Sequence, residues 1–516
     1  MAFPQSWLCK GCGRPYIVDD RPLSSLPTHL TRTNNAPSAQ ELIDSEEEFS
    51  TANLTHELDA LNEEVDRLQR TLNALEARRV KVETHLRMCR SITSSLRRVP
   101  PEIISRILGH LVGATAGIER EKITLDTRRG IWTYSRVSQL WRSVTLSTPS
   151  FWSTFILDFG PSPRTKGTLK CIETILSRSR EHPLSFELTY DSHHWPDTWN
   201  VSPLEMLIAH APRWRGAFFS LHPVLFGCLN GVKGCTPILE SLGFQRRIGH
   251  PVPSLDYFRD APALRKVSFR DFDCLPSFFV LPWSQITECI LDSFVDNCMQ
   301  VLALMPNLVS LDASNLWCSD NEVIELNKLC KLKAFGGSFI AYLTLPALRE
   351  IDVLLLSNTL TNVIALIERS GCSITTLAFR HYYYSNIQLN IDNMLLIAFL
   401  KSLHTVSVLD LSRKSIDNVS RFCQVLVTFT AEHHSYLLPA LSELILPPLL
   451  DHPEACSTVV SLLSQRRQHD LESTDATHTT IERVIFIGAD QSLPPEMKSL
   501  EEEGLQDLFR WLPGAE

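Results

Sequence analysis

A six-residue pattern recurs between residues 161 and 490: apolar, two variable, apolar, one variable, apolar. A weaker copy, Leu332-Phe335, lies among ten full ones. The full copies are Trp214-Ala217-Phe219, Leu239-Leu242-Phe244, Leu264-Val267-Phe269, Ile286-Cys289-Leu291, Leu308-Leu311-Ala313, Leu348-Ile351-Val353, Ile374-Leu377-Phe379, Val406-Leu409-Leu411, Leu441-Leu444-Leu446 and Ile481-Val484-Phe486. Alternating apolar residues at the end of each copy predict a short strand with one buried face.

Most of the segments between copies have room for a helix, since successive copies begin 16 to 40 residues apart. Helical spacing occurs in several of them, for example at Val301, Leu302 and Met305. One strand and one helix in roughly 20–29 residues make up the unit of a leucine-rich-repeat solenoid. The pattern therefore predicts an irregular leucine-rich-repeat α/β solenoid over residues 161–490, with an ordinary α/β domain as the alternative.

A strict heptad occupies residues 51–92, where apolar residues are spaced alternately four and three apart. Its seam consists of Leu54, Leu58, Leu61, Val65, Leu68, Leu72, Leu75, Val82 and Leu86. Arg79 stands at one further seam position and weakens that end. The absence of Pro and Gly from the heptad predicts one long helix. A narrow seam favours self-association as a coiled coil, and packing on the protein's own surface is the alternative.

A compact helical segment is expected over residues 94–155. Pro100 and Pro101 mark a helix start, because proline is tolerated in the first turn. A broad apolar face follows and ends at Leu111, and a polar insertion, residues 113–130, separates it from a second helix. A unit of about 60 residues is marginal as an independent core, so its apolar surface indicates a docking partner. The alternative is packing on the first repeat.

The motifs Val99-Pro100-Pro101-Glu102-Ile103-Ile104, Val137-Ser138-Gln139-Leu140-Trp141-Arg142 and Phe151-Trp152 resemble an F-box. The whole order, a coiled coil, an F-box and irregular leucine-rich repeats, resembles fungal F-box proteins of the basidiomycete type. The similarity covers about residues 50–490. This chain departs from the family in its 113–130 insertion, which is longer and more charged than the usual link.

The resemblance implies a substrate-recognition subunit of an SCF-type cullin–RING ubiquitin ligase. In that family the F-box docks on a Skp-family adaptor, and through it on a cullin, while the repeats hold a protein substrate. The residues implied to face the adaptor are Pro100, Pro101, Ile103, Ile104, Ile107, Leu108, Val137, Trp141 and Trp152. Leu111, Leu140 and Val144 are expected to hold the helices together. Trp214, Trp283, Trp317 and Tyr382–Tyr384 are candidate substrate contacts or, alternatively, repeat core.

Composition excludes several other classes of protein. The chain has 49 basic and 58 acidic residues and a net charge of −9, which disfavours nucleic-acid binding. No apolar run approaches the roughly 18 residues of a membrane span, and no secretory signal is expected at Met1–Lys10. Fourteen scattered cysteines indicate reduced thiols in a cytoplasmic or nuclear protein. Residues 1–50 are expected to be a disordered tail, and residues 491–516 a second tail.

No motif for catalysis or for a cofactor appears, so we expect a non-catalytic protein that needs none. Cys9 and Cys12 form half of a structural zinc site, but a zinc ion needs four ligands, and an untethered tail is the alternative. Cys372 has no sequence cue for a general base, which favours a packing role. The alternative to the ligase subunit is an interaction scaffold that uses only the coiled coil and the repeats.

Overall fold

A computed structural model describes most of the chain. The described residues are 36–41, 51–112, 124–159, 165–190, 201–245, 254–270, 279–292, 298–314, 316, 322–335, 337–380, 392–413, 416–449, 452–472, 480–487, 497 and 508–512. Two compact units divide the chain, Met1–Val99 and Pro100–Glu516. Cys9, Cys12 and most of the two expected tails lie outside the described residues, as do residues 113–123 of the insertion.

The first unit contains one long helix, α1, which spans Thr51–Thr93. Its extent confirms the helix expected from the heptad. The helix ends at Thr93. The hydroxyl of the next residue, Ser94, accepts a hydrogen bond from the Leu96 amide and caps the short 3-10 turn Ser95–Arg98. Residues of high helix propensity fill α1, and an exposed pair at i, i+3 spacing, Glu64 and Arg67, adds local support.

The second unit combines short helices with parallel strands. Its helices are α2 Pro101–Val112, α3 Ile131–Tyr134, α4 Gln139–Ser147, α5 Thr165–Ser179, α6 Ser202–Ile208, α7 Cys298–Ala303, α8 Ser357–Ser370, α9 Asn393–Lys401, α10 Ile416–His433 and α11 Pro453–Glu472. Its strands are β1 Thr154–Phe159, β2 Leu184–Tyr190, β3 Trp214–Ser220, β4 Ser241–Gln245, β5 Lys266–Arg270, β6 Glu288–Asp292, β7 Ser310–Ala313, β8 Ile324–Glu325, β9 Lys331–Ala334, β10 Leu343–Thr344, β11 Glu350–Leu354, β12 Thr376–Arg380, β13 Val408–Arg413, β14 Glu443–Leu446, β15 Arg483–Ile487 and β16 Phe509–Leu512.

Fourteen of the described strands form one sheet, and their spatial order follows the chain order from β1 to β16. The exceptions, β8 and β10, pair with each other in a separate two-stranded sheet. Every pair among the described strands is parallel, for example β4 with β5 and β13 with β14. Because each strand of the large sheet pairs with the next one along the chain, the unit is built as a solenoid, which agrees with the expected repeat architecture.

The core follows the six-residue pattern. All three side chains of each of the ten full triplets are buried. The weaker copy differs from the expected register, because the buried set around β9 is Leu329, Leu332 and Ala334. In the first repeats the buried rings stack from strand to strand, with centroids 5.8 Å apart between Phe219 and Phe244.

The sheet is longer at both ends than the sequence pattern indicated. Strand β1 begins at Thr154, inside the range expected for the helical segment, and β16 lies inside the expected C-terminal tail. Trp152, Phe155 and Leu157 have the same i, i+3, i+5 spacing as the triplets and are buried in the same way. The first turn of the solenoid therefore takes its core from the end of the helical segment.

Helices follow some strands and not others, so the repeats are irregular as expected. Only turns connect β4 to β5 among the described residues, whereas α8 and α10 follow β11 and β13. Residues of strands β1 to β6 also line one cavity on the sheet. These two features position the surfaces described next.

Candidate functional site

Helix α2 carries two parallel apolar stripes, each with side chains four residues apart. The inner stripe, Ile104, Leu108 and Val112, is buried at 1%, 0% and 4% exposure, and α2 packs against α4. The outer stripe consists of Ile103, Ile107 and Leu111, which we call the α2 stripe. Its members are 43%, 40% and 42% exposed. Residues at i, i+4 and i+8 share a face of a helix, so the α2 stripe is one continuous apolar surface.

This arrangement corrects the expectation for three residues of α2. Ile104 and Leu108 lie in the protein's own core, so their side chains are not on the surface that a partner would touch. Leu111, expected to hold the helices together, is exposed instead. The apolar residues span a wide arc of α2, and their sequence does not determine which half of it turns inward.

Trp152 also belongs to the core and not to the surface. Its indole Nε1 donates a 2.8 Å hydrogen bond to the Thr145 carbonyl oxygen, and Trp132 packs edge-on with ring centroids 5.0 Å apart. The Arg178 guanidinium lies 4.4 Å from the centroid of the Trp152 ring. Desolvation by burial, and secondly the nearby Arg142, lower the pKa of Arg178. Trp152 therefore joins the helical segment to α5.

The remaining expected positions stay at or near the surface. Pro100 and Pro101 are exposed, Val137 is 59% exposed, and Trp141 is half-buried with its ring 6.5 Å from that of Tyr134. Val144 is buried as expected, and Leu140 is half-buried.

Helix α4, which carries Trp141, is capped by Ser138, whose hydroxyl accepts a hydrogen bond from the Trp141 amide. Arg106, Arg136 and Arg142 are exposed in the same segment. A partner with acidic groups around an apolar centre would suit these charges.

The outward face of the sheet is a second candidate surface. Ion pairs connect neighbouring strands there: Lys266 with Glu288 at 3.1 Å, Lys331 with Glu350 at 2.9 Å, and Arg483 with Glu443 at 3.0 Å. Opposite charges placed directly across parallel strands stabilise the register modestly. The same charges form a polar surface along the solenoid.

A cavity of about 390 Å³ opens on this face across β1 to β6. Small residues form its floor, and they are Ser185, Gly216, Ser241, Gly243 and Ser268. The Phe218 ring lies over β4, where a Cβ at Gly243 would be 2.9 Å from Phe218 Cε2 and closer still to Cδ2. Arg270 covers the same ring, with its guanidinium 5.3 Å from the centroid. The glycine thus creates the space that Phe218 occupies.

Ser268 gives this cavity an unsatisfied polar group. The residue is 8% exposed, and its hydroxyl has no hydrogen-bond partner among the residues that the structure describes. A buried hydroxyl without a partner costs free energy, which a ligand group could recover. The sequence contained a signal for Phe218, Gly243 and Ser268, because each occupies the variable position between the last two apolar residues of a triplet.

A second cavity, of about 280 Å³, lies further along the sheet between β7 and β13. It is lined by charges of both signs, including Lys333, Asp352, Asp410 and Arg413.

The aromatic residues that the sequence offered as candidate substrate contacts contribute little to this face. Trp214 is fully buried with its Nε1 bonded to the Leu207 carbonyl oxygen, and Trp283 is half-buried. Trp317 and Tyr382–Tyr384 lie outside the described residues.

Helix α1 provides the third surface. Eight of its seam side chains, all except the half-buried Leu68, are between 47% and 64% exposed. These exposed apolar side chains form one seam along α1, and such a seam favours packing against another helix.

The described residues were also considered as metal ligands and as a catalytic nucleophile. No cluster of His, Cys, Asp and Glu able to hold a metal ion occurs in the part of the chain that the structure describes. Cys372 is buried, and desolvation raises the pKa of its thiol, which lowers its reactivity as a nucleophile. The part of the chain that the structure describes contains no helix that could span a lipid bilayer.

The chain was compared with protein families, curated proteins and solved structures. No protein-family model matches the chain, and no curated protein matches it. Among solved structures, the chain is similar to an internalin from Listeria monocytogenes, with 10% sequence identity, 78% of this chain and 96% of that chain covered, and a TM-score of 0.25. The fold assignment rests on the strand order and the register.

Proposed function

We propose that this protein is a non-catalytic substrate receptor of an SCF-type cullin–RING ubiquitin ligase. The observation that carries the proposal is the α2 stripe, whose three side chains are exposed while the neighbouring stripe of the same helix is buried. Such a stripe suits a partner that covers it. The F-box resemblance supplies the partner, a Skp-family adaptor.

In this proposal the protein acts by proximity. The helical segment fixes one end to the ligase, and the outward sheet face holds a protein substrate. Binding two partners at once raises their effective concentration near each other without chemistry in this chain. The cavity at Ser268 favours an extended segment of substrate that places a short polar side chain there.

A binding assay with a recombinant fungal Skp-family adaptor tests the proposal. We expect Ile103→Ser combined with Ile107→Ser to weaken adaptor binding at least about tenfold, because each change removes apolar area from the contact. Both residues are exposed, so the fold should tolerate the change. Val224→Ser is the matched control, since Val224 is 67% exposed in the repeats, and it should bind as wild type does.

Salt provides an independent readout. If Arg106, Arg136 and Arg142 face acidic groups on the adaptor, binding should weaken as ionic strength rises. Wild-type protein that fails to bind any Skp-family adaptor, or binding that survives the double substitution unchanged, would contradict the ligase proposal.

The second candidate is a scaffold that joins proteins through α1 and the repeats without entering a ligase. Burial of Ile104, Leu108 and Trp152 favours it, because three side chains that the resemblance assigns to the adaptor are unavailable. A protein that fails to bind the adaptor but still binds a protein partner at the outward sheet face would be this scaffold.

A further inference from the structure

The charges of α1 are segregated along its length. Residues 51–72 carry five acidic side chains and two basic ones, whereas residues 73–93 carry two acidic and five basic ones. The first half therefore has a net charge of −3 and the second half +3. Two such helices attract each other when they run in opposite directions and repel each other when they run in the same direction.

Seam composition leads to the same orientation. Arg79 occupies a core position, and in a parallel pair it would face the Arg79 of the second chain across the interface. Arg79 pairs within its own helix with the exposed Glu83, 3.8 Å from its Nε, but burying two guanidinium groups side by side in a dry interface would still be unfavourable. In an antiparallel pair each core layer joins an a position to a d position, so that Arg79 can lie opposite a leucine.

We propose that a second copy of this chain covers the α1 seam, and that the two helices pair in antiparallel orientation. In the register that we infer, Leu54 lies opposite Leu86, Leu58 opposite Val82, and Leu61 opposite Arg79. The layers continue with Val65 opposite Leu75 and Leu68 opposite Leu72. In this register every apolar seam residue has an apolar partner except the two copies of Leu61, which pack on the methylene chain of Arg79.

The flanking charges agree with this register. Glu64 of one chain lies beside Arg78 of the other, and symmetry makes two such pairs. Glu64 already holds Arg67 of its own helix through a 2.7 Å hydrogen bond, which lowers the pKa of the Glu64 carboxyl. Arg78 of the second chain would add a cation to the same carboxylate. In the parallel pair Glu64 would instead face the neutral Gln69.

The inference concerns α1 alone and holds whether or not the protein enters a ligase. Its consequence is geometric. Each helix of 43 residues is about 65 Å long, and antiparallel pairing places the two Thr93 residues at opposite ends. Each chain would continue from its own end of the pair.

Sedimentation of the full-length protein is the first test. We expect a dimer at micromolar concentration, with Glu64→Arg weakening the dimer roughly tenfold, since it replaces two attractive pairs by two repulsive ones. Adding Arg78→Glu in the same chain restores opposite charges and should recover wild-type affinity. In a parallel dimer the second change would place a carboxylate beside Glu83 of the other chain and would not recover it.

Disulfide trapping determines the orientation directly. Cys89 is exposed and continues the heptad at a d position, so a parallel dimer treated with diamide would form a Cys89–Cys89 link. The antiparallel dimer should not form it, because the two Cys89 residues lie at opposite ends. In a Cys89→Ser background, Leu54→Cys with Leu86→Cys should give links between positions 54 and 86 of different chains. These positions are about 48 Å apart within one helix, so no intrachain link competes.

The products are identified by mass spectrometry of the linked peptides. Links from 54 to 54 and from 86 to 86, or a Cys89–Cys89 link in the wild type, would overturn the antiparallel arrangement. A monomer at every concentration tested would overturn self-association itself.

Discussion

At the scale of single residues, Trp152 shows how one side chain can belong to two sequence patterns. It ends the F-box-like motif, and it also begins the i, i+3, i+5 spacing of the repeats. The structure places it in the repeat core, where it is fully buried, bonded to Thr145 and covered by Arg178. Its role is to anchor the helical segment to the solenoid.

We expect Trp152→Ala to lower the free energy of unfolding by about 3–5 kcal/mol, because it removes a large buried ring and leaves a cavity. Trp152→Phe should cost less, since it retains an aromatic ring but loses the hydrogen bond to Thr145. Urea denaturation of the full chain measures both. Val137→Ala is the control and should change the free energy by no more than about 0.5 kcal/mol, because Val137 is exposed. Equal effects of Trp152→Ala and Val137→Ala would contradict the core role.

At the scale of elements, helix α8 ends where its backbone turns left-handed. Gly371 has φ of 58°, and its amide donates a 2.9 Å hydrogen bond to the Ile367 carbonyl oxygen. A Cβ there would meet nothing within 4 Å. Any penalty for a side chain at this position therefore arises from the backbone conformation and not from crowding.

We expect Gly371→Ala to destabilise the protein by about 1–2 kcal/mol, the cost of a left-handed L-residue. Gly371→Asn should cost less, because asparagine tolerates this conformation. Gly167, on α5, provides a control at which substitution by alanine should change the stability in the opposite direction. A Cβ at Gly167 also meets nothing within 4 Å, and Gly167→Ala in a helix should stabilise by up to about 1 kcal/mol. Thermal denaturation of the three variants compares them, and destabilisation by both alanine substitutions would argue against the conformational explanation.

At the scale of the whole molecule, buried cysteines are distributed along the second unit. Cys289 lies on β6, Cys372 precedes β12, and Cys423 and Cys456 lie on α10 and α11. Desolvation raises the pKa of the Cys423 thiol to about 12. Thiolate is the reactive form, so at pH 8 these side chains should be protected by the fold itself.

We expect iodoacetamide at pH 8 to modify the exposed Cys89 and Cys235 in the native protein and to leave the four buried cysteines unmodified. In increasing urea, the four should become reactive together if the repeats unfold as one cooperative unit, and in sequence if they unfold singly. Peptide mass spectrometry measures each site. Native Cys423 that reacts as fast as Cys89 would contradict the burial.

Much of the repeat architecture followed from the sequence alone, because strand alternation is a local property. A residue's place in an i, i+3, i+5 triplet decides which face of the strand it occupies, and all ten full triplets are buried accordingly. The heptad predicted α1 for the same reason, since helix propensity and the seam spacing both depend only on residues that are close together in the sequence.

Only the tertiary structure decided whether a side chain is buried or exposed where this depends on a residue far away in the sequence. The rotation of α2, which buries Ile104 and exposes Leu111, is set by its packing on α4. Arg178 of α5 covers the buried Trp152 ring. Ser268 lies on β5 between β4 and β6, and its hydroxyl has no partner among the described residues. Sequence periodicity defines an apolar arc or a strand face, whereas the partner that covers it is selected by contacts between residues far apart in the chain.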